Sequence, residues 1–251
     1  MSRIELLDNL SHKDLRVNPL FAKELGDNIA STITFVTEFA EVQKEYPILF
    51  RKDPDKDVYQ SVVLFGIQKD ENLFLGDGSN GYQKFKGWNA GYVPAVIRRG
   101  PFSIGLRKKQ EQNSEDVEPL VHVDMEHPKV STQVGVRVFL EQGGNSQYLQ
   151  QVIETLNLIR DGINLNVAMF DAFSRHELIE DVDINIELKN EEKHRLSGFK
   201  TINADRLNQL SGDALAELSC SGFLQAAYFV SASLSNIQKL IDIKNHRLQS
   251  D

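Results

Sequence analysis

The sequence has a single cysteine, Cys220, among its 251 residues. A chain with one cysteine cannot form an internal disulfide or a cysteine-only metal cluster. It also lacks any run of the roughly 18 apolar residues that would span a bilayer. Its charged N-terminal stretch lacks the apolar core of a signal peptide. These absences favour a cytoplasmic protein that does not insert into a membrane.

Positive charge is also scarce. The sequence has 28 lysine and arginine residues against 36 aspartate and glutamate residues, which gives a formal net charge of -8 at pH 7. An acidic chain is repelled by the phosphates of nucleic acids and by anionic lipid surfaces. We therefore expect no nucleic-acid partner.

The hydrophobic pattern differs between the two halves of the sequence. Residues 46–142 hold short apolar segments separated by proline, glycine and acidic turns, which predict strands with short connections. Residues 146–247 hold long stretches with apolar residues three or four positions apart, the period of a helix. Residues 148–173 predict a helix of seven turns, and alternating residues over 182–202 predict a hairpin.

This distribution of elements is typical of the α+β class. We expect a mostly antiparallel sheet from the N-terminal half, packed against long C-terminal helices, with a second hairpin near residues 182–202. No obvious linker or repeat divides the sequence, so we expect one domain over residues 1–251.

A glycine-rich stretch invites a nucleotide-binding interpretation, because Gly76, Gly78 and Gly81 have the spacing G-x-G-x-x-G. A dinucleotide-binding loop of this kind opens a helix, whose N-terminus receives the pyrophosphate. The residues after Gly81 include two more glycines and a proline, which do not sustain a helix. The stretch therefore predicts a hairpin turn, and we expect no cofactor.

A metal site is a second hypothesis. His122 and Asp124 are two residues apart on a predicted strand, so their side chains point the same way. Together with His176 they could form the two-histidine, one-carboxylate set of an iron-dependent oxygenase. A strand-end histidine beside an acidic turn is the simpler explanation of the pair, so the metal site stays an alternative.

Four stretches of the sequence are informative together: FAEVQKEYPILFRK, VVLFGIQKDENLFL, GYVPAVIRRGPFSIG and the later GFKTINADRLNQL. They resemble the SapC family of bacterial proteins, and the similarity runs collinearly from about Leu7 to Leu240. The block from Tyr92 to Phe102 is the most specific part. Members usually have an apolar residue or cysteine where this sequence has His122, which weakens the iron hypothesis.

The resemblance implies an accessory role rather than a known reaction. Members similar to this chain tend to be encoded beside TonB-dependent receptors, flavin-dependent halogenase-like proteins and cupin or JmjC-like oxygenases. The implied role is the modification or use of an imported glycan or peptide, with a halogenase-like or a cupin/JmjC-like protein as partner. The resemblance carries over no catalytic residue.

The most specific block also contains four of the six candidate binding residues. Arginines hold carboxylates or phosphates through forked hydrogen bonds, and aromatic side chains stack on flat ligands. We read the block as a strand interrupted by prolines, in which neighbouring arginines would point to opposite faces. An alternative is that it is only a core segment at a strand edge. The predicted ligand- or partner-binding residues are Tyr46, Trp88, Tyr92, Pro94, Arg98 and Arg99.

Overall fold

The computed structural model describes residues 3–53, 56–76, 85–108 and 117–250. The strands of this part are β1 (Ile4–Leu6), β2 (Arg16–Val17), β3 (Ser31–Thr34), β4 (Ile48–Lys52), β5 (Tyr59–Leu64), β6 (Phe102–Lys108), β7 (Val117–Asp124), β8 (Val130–Ser131), β9 (Val136–Arg137), β10 (Ile179–Glu187) and β11 (Lys193–Ile202). Its α-helices are α1 (Phe39–Val42), α2 (Ala95–Arg98), α3 (Gln147–Arg175), α4 (Ala204–Asn208), α5 (Gly212–Cys220), α6 (Phe223–Ser233) and α7 (Asn236–Ser250), and two short 3-10 helices cover Lys23–Leu25 and Val36–Glu38.

A five-stranded antiparallel sheet forms the centre of the fold, with the order β10-β11-β4-β5-β3. Two three-stranded sheets accompany it, with the orders β1-β7-β6 and β8-β2-β9. The predicted hairpin is present as β10 and β11, and it extends the central sheet through the pairing of Lys200 with Phe50 of β4. The α+β prediction is confirmed.

The long helix α3 contacts both the central sheet and the sheet formed by β1, β7 and β6. It begins at Ser146, whose hydroxyl accepts a hydrogen bond from the Leu149 amide at 3.2 Å, as N-cap serines do. Near its C-terminal end, the Phe170 ring lies edge-on to Phe50 of β4, with centroids 5.0 Å apart. Near its N-terminal end, Leu149 packs in a cluster with Phe102 of β6. The helix predicted over residues 148–173 is therefore confirmed.

The apolar stripe of the C-terminal region forms two helices rather than one. The Ser233 hydroxyl accepts a hydrogen bond from the Ile48 amide and donates one to the Val230 carbonyl. The Asn236 side chain donates to the carbonyls of Gln43 and Tyr46. Serine and asparagine side chains that bind the backbone compete with continuous helix, and here they coincide with the boundary between α6 and α7. No helix in the described residues is long and apolar enough to cross a membrane.

The glycine-rich turn lies largely outside the described residues, which omit 77–84 and therefore Gly78 and Gly81. On either side of it, Leu75 and Trp88 form an antiparallel bridge, and the Gly76 amide donates to the Gly87 carbonyl at 3.2 Å. The flanking residues thus approach each other from opposite directions, an arrangement compatible with the predicted hairpin.

Candidate functional site

Tyr46 and Trp88, two of the predicted binding residues, are completely buried. The Trp88 indole Nε1 donates to the Tyr46 hydroxyl at 2.7 Å, and that hydroxyl donates to the Tyr92 carbonyl at 2.5 Å. The Tyr46 ring also packs edge-on to Phe74, with centroids 4.6 Å apart. Burial raises the pKa of Tyr46 well above its usual value, so its hydroxyl remains a donor. Both side chains therefore hold the Tyr92 backbone from within the core.

Tyr92 donates a hydrogen bond to a buried carboxylate that the sequence analysis did not select. Glu38 is only 2% exposed, and its Oε2 accepts from the Tyr92 hydroxyl at 2.8 Å and from the Ala95 amide at 2.9 Å. Its Oε1 accepts from the Thr34 hydroxyl at 2.8 Å. Burial raises the pKa of Glu38, although these hydrogen bonds and the charge of Arg98 act in the opposite direction. Glu38 therefore fixes the start of α2 to the end of β3.

Nothing in the sequence pattern separates Glu38 from a solvated glutamate. Glu38 and Glu41 both lie between apolar residues of a short helical segment, where an exposed polar face is the usual interpretation. The structure exposes Glu41, which pairs with Lys44, and buries Glu38. The donors to Glu38 include residues 54 and 57 positions away in the sequence, and periodicity carries no information about such contacts.

Arg98 and Arg99 lie on a helical turn, so the prediction of a strand at this point is wrong. Pro94 is the N-cap of α2, and its carbonyl accepts hydrogen bonds from the amides of Ile97 and Arg98 at 3.0 Å each. Proline and two β-branched residues read as strand in the sequence, yet proline is well tolerated where a helix begins. The argument that the arginines point to opposite faces of a strand therefore does not apply.

The two arginines have different surroundings. Arg99 donates from Nη1 to the Phe102 carbonyl at 2.6 Å, and burial lowers its pKa. The Arg98 guanidinium lies over the Tyr92 ring, with its Cζ 5.2 Å from the ring centroid. Arg98 Nε is buried and has no hydrogen-bond partner in the described structure. A buried donor without an acceptor destabilises a fold. Within this block, Arg98 is therefore the described residue whose hydrogen-bonding capacity is not satisfied.

Arg98 lines a cleft of about 490 Å³. That volume falls within the range of about 300–1,000 Å³ that is usual for small-molecule sites. We call it the Arg98 cleft. It is lined by Asn18, Pro19, Phe21, Phe85, Ile97, Arg98, Gly100, Lys129, Tyr148, Gln151, Val152, Glu154, Thr155 and Leu158.

A second basic residue of the Arg98 cleft, Lys129, is already paired. Its Nζ lies 2.9 Å from Asp27 Oδ1, and both side chains are almost fully buried. The same ammonium group lies over the Phe21 ring, 4.3 Å from its centroid. Burial lowers the pKa of Lys129, and Asp27 acts against that shift. Lys129 therefore brings no net charge to the cleft, in contrast to Arg98.

A larger cleft of about 550 Å³ lies elsewhere, between β5 and α3. Its buried polar residue is Asn166, whose side chain accepts from the Val36 amide at 2.8 Å and donates to the Thr34 carbonyl at 3.3 Å. The amide is thus already engaged by the protein. The larger cleft contains none of the predicted binding residues, so the Arg98 cleft is the better candidate site.

The three residues of the iron-binding alternative do not form a metal site among the described residues. His122 lies within β7, opposite Leu6 of β1 and Ser103 of β6, and Asp124 ends the same strand. His176 follows the end of α3, where its Nε2 is 3.3 Å from Glu217 Oε2. Over the described ranges, no three histidine, cysteine or acidic residues form a group that could hold a metal ion.

Comparison with known proteins identifies a family. Curated proteins give no match to the chain, and neither do solved structures. The family model described as SapC matches residues 7–240. Because that match spans nearly the whole sequence and includes Glu38, Tyr92 and Arg98, the chain belongs to the SapC family.

Proposed function

We propose that this SapC-family protein is a binding protein that holds a small molecule in the Arg98 cleft. The observation that supports it most is the Arg98 guanidinium, which lines a cleft of small-molecule size and whose Nε has no hydrogen-bond partner in the described structure. A ligand that accepts hydrogen bonds from the Arg98 guanidinium would stabilise the positive charge that this residue brings to the cleft. Of the six predicted residues, Arg98 would contact the ligand.

The other predicted residues would support Arg98 rather than touch the ligand. Tyr92 supplies the ring over which the guanidinium lies, and Tyr46 and Trp88 fix the backbone of Tyr92. Pro94 begins the helical turn that carries Arg98. Such a rigid supporting shell reduces the entropy lost on binding.

The chemistry of the cleft favours binding over catalysis. The described residues that line it include no histidine and no cysteine. The Thr155 hydroxyl donates to the Gln151 carbonyl, and Lys129 is held by Asp27. Burial raises the pKa of Tyr148, so its hydroxyl stays protonated and is not available as a base. A nucleophile beside a general base, the usual arrangement for covalent catalysis, is not found among these residues.

The resemblance to SapC proteins adds a cellular role to this proposal. We place the protein in the bacterial cytoplasm, as an accessory to the modification or use of an imported glycan or peptide. Its partner would be a flavin-dependent halogenase-like protein or a cupin/JmjC-like oxygenase. Affinity capture from native cells tests this role: recovery of either partner supports it, and recovery of neither in repeated captures contradicts it.

Two neighbouring glutamines of α3 provide a test of the binding proposal. Gln151 and Gln150 are both exposed, but only Gln151 is among the residues lining the Arg98 cleft. A tryptophan at Gln151 would occupy the cleft, whereas Gln150→Trp is the matched control. We expect the fluorescent probe 8-anilinonaphthalene-1-sulfonate to bind the wild type and Gln150→Trp. We expect Gln151→Trp to weaken its binding about tenfold or more, a loss of roughly 1.4 kcal/mol. Equal binding to all three proteins, or binding to none, would contradict the proposed site.

A further inference from the structure

We infer that the ligand of the Arg98 cleft carries a single carboxylate attached to a flat apolar group. This inference rests on the proposed function and names the class of molecule that the cleft would hold. It follows from three features of the described residues: the charge balance of the cleft, the orientation of the Arg98 guanidinium, and the aromatic wall beside it.

The charges of the cleft favour a ligand with one negative charge over a ligand with two. Lys129 is neutralised by Asp27 at 2.9 Å, so Arg98 supplies the remaining positive charge among the described lining residues. Glu154 lines the same cleft with a carboxylate, and the charge of Arg98 is also felt by the buried Glu38. A dianion such as phosphate would meet one cation and nearby carboxylates in a protein of net charge -8. A monoanion avoids most of this repulsion.

The geometry of Arg98 favours a planar acceptor. Its guanidinium lies over the Tyr92 ring, and the Tyr92 hydroxyl is held by Glu38 at 2.8 Å. A cation–π contact of this kind restrains the position of the guanidinium before a ligand arrives. A guanidinium presents two parallel N–H groups whose spacing matches the two oxygens of a carboxylate. Binding through such a fork is directional as well as electrostatic.

The wall of the cleft favours an apolar ring next to the carboxylate. Phe21 and Phe85 pack edge to face, with centroids 6.5 Å apart, and Phe21 also packs against the buried Trp88 at 5.4 Å. Ile97 and Val152 add aliphatic surface to the same cleft. Aromatic faces and edges interact well with a further ring. A ring on these residues would lie in the same cleft as the Arg98 guanidinium.

Isothermal titration calorimetry with three probes tests this inference. The probes are 2-naphthoate, the neutral 2-naphthamide of the same shape, and inorganic phosphate. We expect 2-naphthoate to bind, 2-naphthamide to bind at least about tenfold more weakly, and phosphate to bind neither alone nor in competition. The tenfold figure corresponds to the loss of one hydrogen bond to a charged group.

Substitutions of Arg98 separate the fork from simple charge. Arg98→Gln should reduce the affinity for 2-naphthoate to that of 2-naphthamide. Arg98→Lys keeps the charge but loses the fork, so it should bind 2-naphthoate with an intermediate affinity. The control is Arg160→Gln, because Arg160 is an α3 arginine that pairs with Asp161 outside the cleft. It should bind as the wild type does.

The possible failures point to different conclusions. Equal affinity for 2-naphthoate and 2-naphthamide would overturn the carboxylate inference and leave the cleft as an apolar binding site. Displacement of 2-naphthoate by phosphate, or an affinity that Arg98→Gln and Arg98→Lys leave unchanged, would also overturn it. No binding of any probe, or binding that Gln151→Trp does not weaken, would overturn the proposed function as well.

Discussion

Gly162 of α3 lies directly against Phe35. A Cβ atom on the glycine would be 2.5 Å from the Phe35 Cβ and 2.8 Å from the Thr37 Oγ1. Real side chains do not approach so closely, and the first of these atoms is not the end of a flexible chain. Gly162 thus allows α3 to approach the segment that carries Glu38. A glycine destabilises the interior of a helix, and the close packing of α3 against Phe35 offsets this loss.

Replacement of Gly162 by alanine should therefore destabilise the protein although alanine is the better helix former. Overpacking costs about 1–3 kcal/mol, whereas the gain in helix propensity is about 1 kcal/mol. Urea denaturation would measure the difference. Gly212→Ala is the matched control, because no atom lies within 4 Å of its added Cβ. It should leave the free energy of unfolding unchanged or raise it, and a stabilising Gly162→Ala would contradict the close contact.

Removal of the Tyr92 hydroxyl should weaken the support of Arg98. Tyr92→Phe keeps the ring over which the guanidinium lies but deletes one donor to the buried Glu38 carboxylate. We expect a loss of about 1–3 kcal/mol in the free energy of unfolding. Tyr228→Phe removes a hydroxyl from a tyrosine that is 51% exposed, and it should change stability by less than about 0.5 kcal/mol. Equal effects of the two substitutions would rule out a stabilising role for the Tyr92–Glu38 hydrogen bond.

The contribution of Glu38 to the free energy of unfolding should increase as the pH falls. Burial raises its folded-state pKa above the ordinary value of 4.5. The folded protein therefore takes up a proton that the unfolded chain does not. This contribution to stability is complete below the unfolded-state pKa and is lost as the pH rises through the folded-state pKa.

Glu38→Gln isolates this effect, because glutamine does not titrate. Other carboxylates, such as Asp8 with its lowered pKa, give opposite slopes but are common to both proteins. The free energy of unfolding of the wild type relative to Glu38→Gln should rise as the pH is lowered from 7 towards 4.5. Denaturation curves at several pH values would measure it. A difference that does not change with pH would show that Glu38 has the same pKa in both states.

Removal of one charge from the buried pair of Lys129 and Asp27 should lower the free energy of unfolding strongly. Lys129→Met leaves the Asp27 carboxylate buried without its cation, which typically costs about 3–5 kcal/mol. The double substitution Lys129→Met and Asp27→Asn removes both charges and should recover most of that loss. Lys44→Met, in an exposed pair with Glu41, should cost no more than about 1 kcal/mol. A double variant no more stable than Lys129→Met would exclude the ion pair as the cause.

Local elements of this fold could be predicted from the sequence, because their signals are local. The helix α3 and the hairpin of β10 and β11 follow from the spacing of their own apolar residues. The helical turn α2 could not, because Val96 and Ile97 favour strand and the turn depends on the bond between the Ala95 amide and Glu38.

The candidate site was predictable only in part. The sequence identified the block around Tyr92 and Arg98 as a candidate, but it did not predict how deeply the block is buried. The burial of Tyr46 depends on the rings of Phe65 and Phe74, which come from later parts of the chain. The pairing of Lys129 with Asp27 joins residues 102 positions apart. Contacts of that range are set by the tertiary fold, and a single sequence does not reveal them.

The order of the central sheet governs when this protein can finish folding on the ribosome. Strands β3, β4 and β5 are complete by Leu64, but β11 does not begin until Lys193. Until β11 emerges, the edge of β4 presents unpaired backbone groups, which can pair with another chain. Translation proceeds at about 5–20 residues per second, so the edge of β4 stays without this partner for roughly 6–26 seconds during each round of synthesis. Conditions that slow elongation between residues 64 and 193 should therefore increase aggregation of the nascent chain.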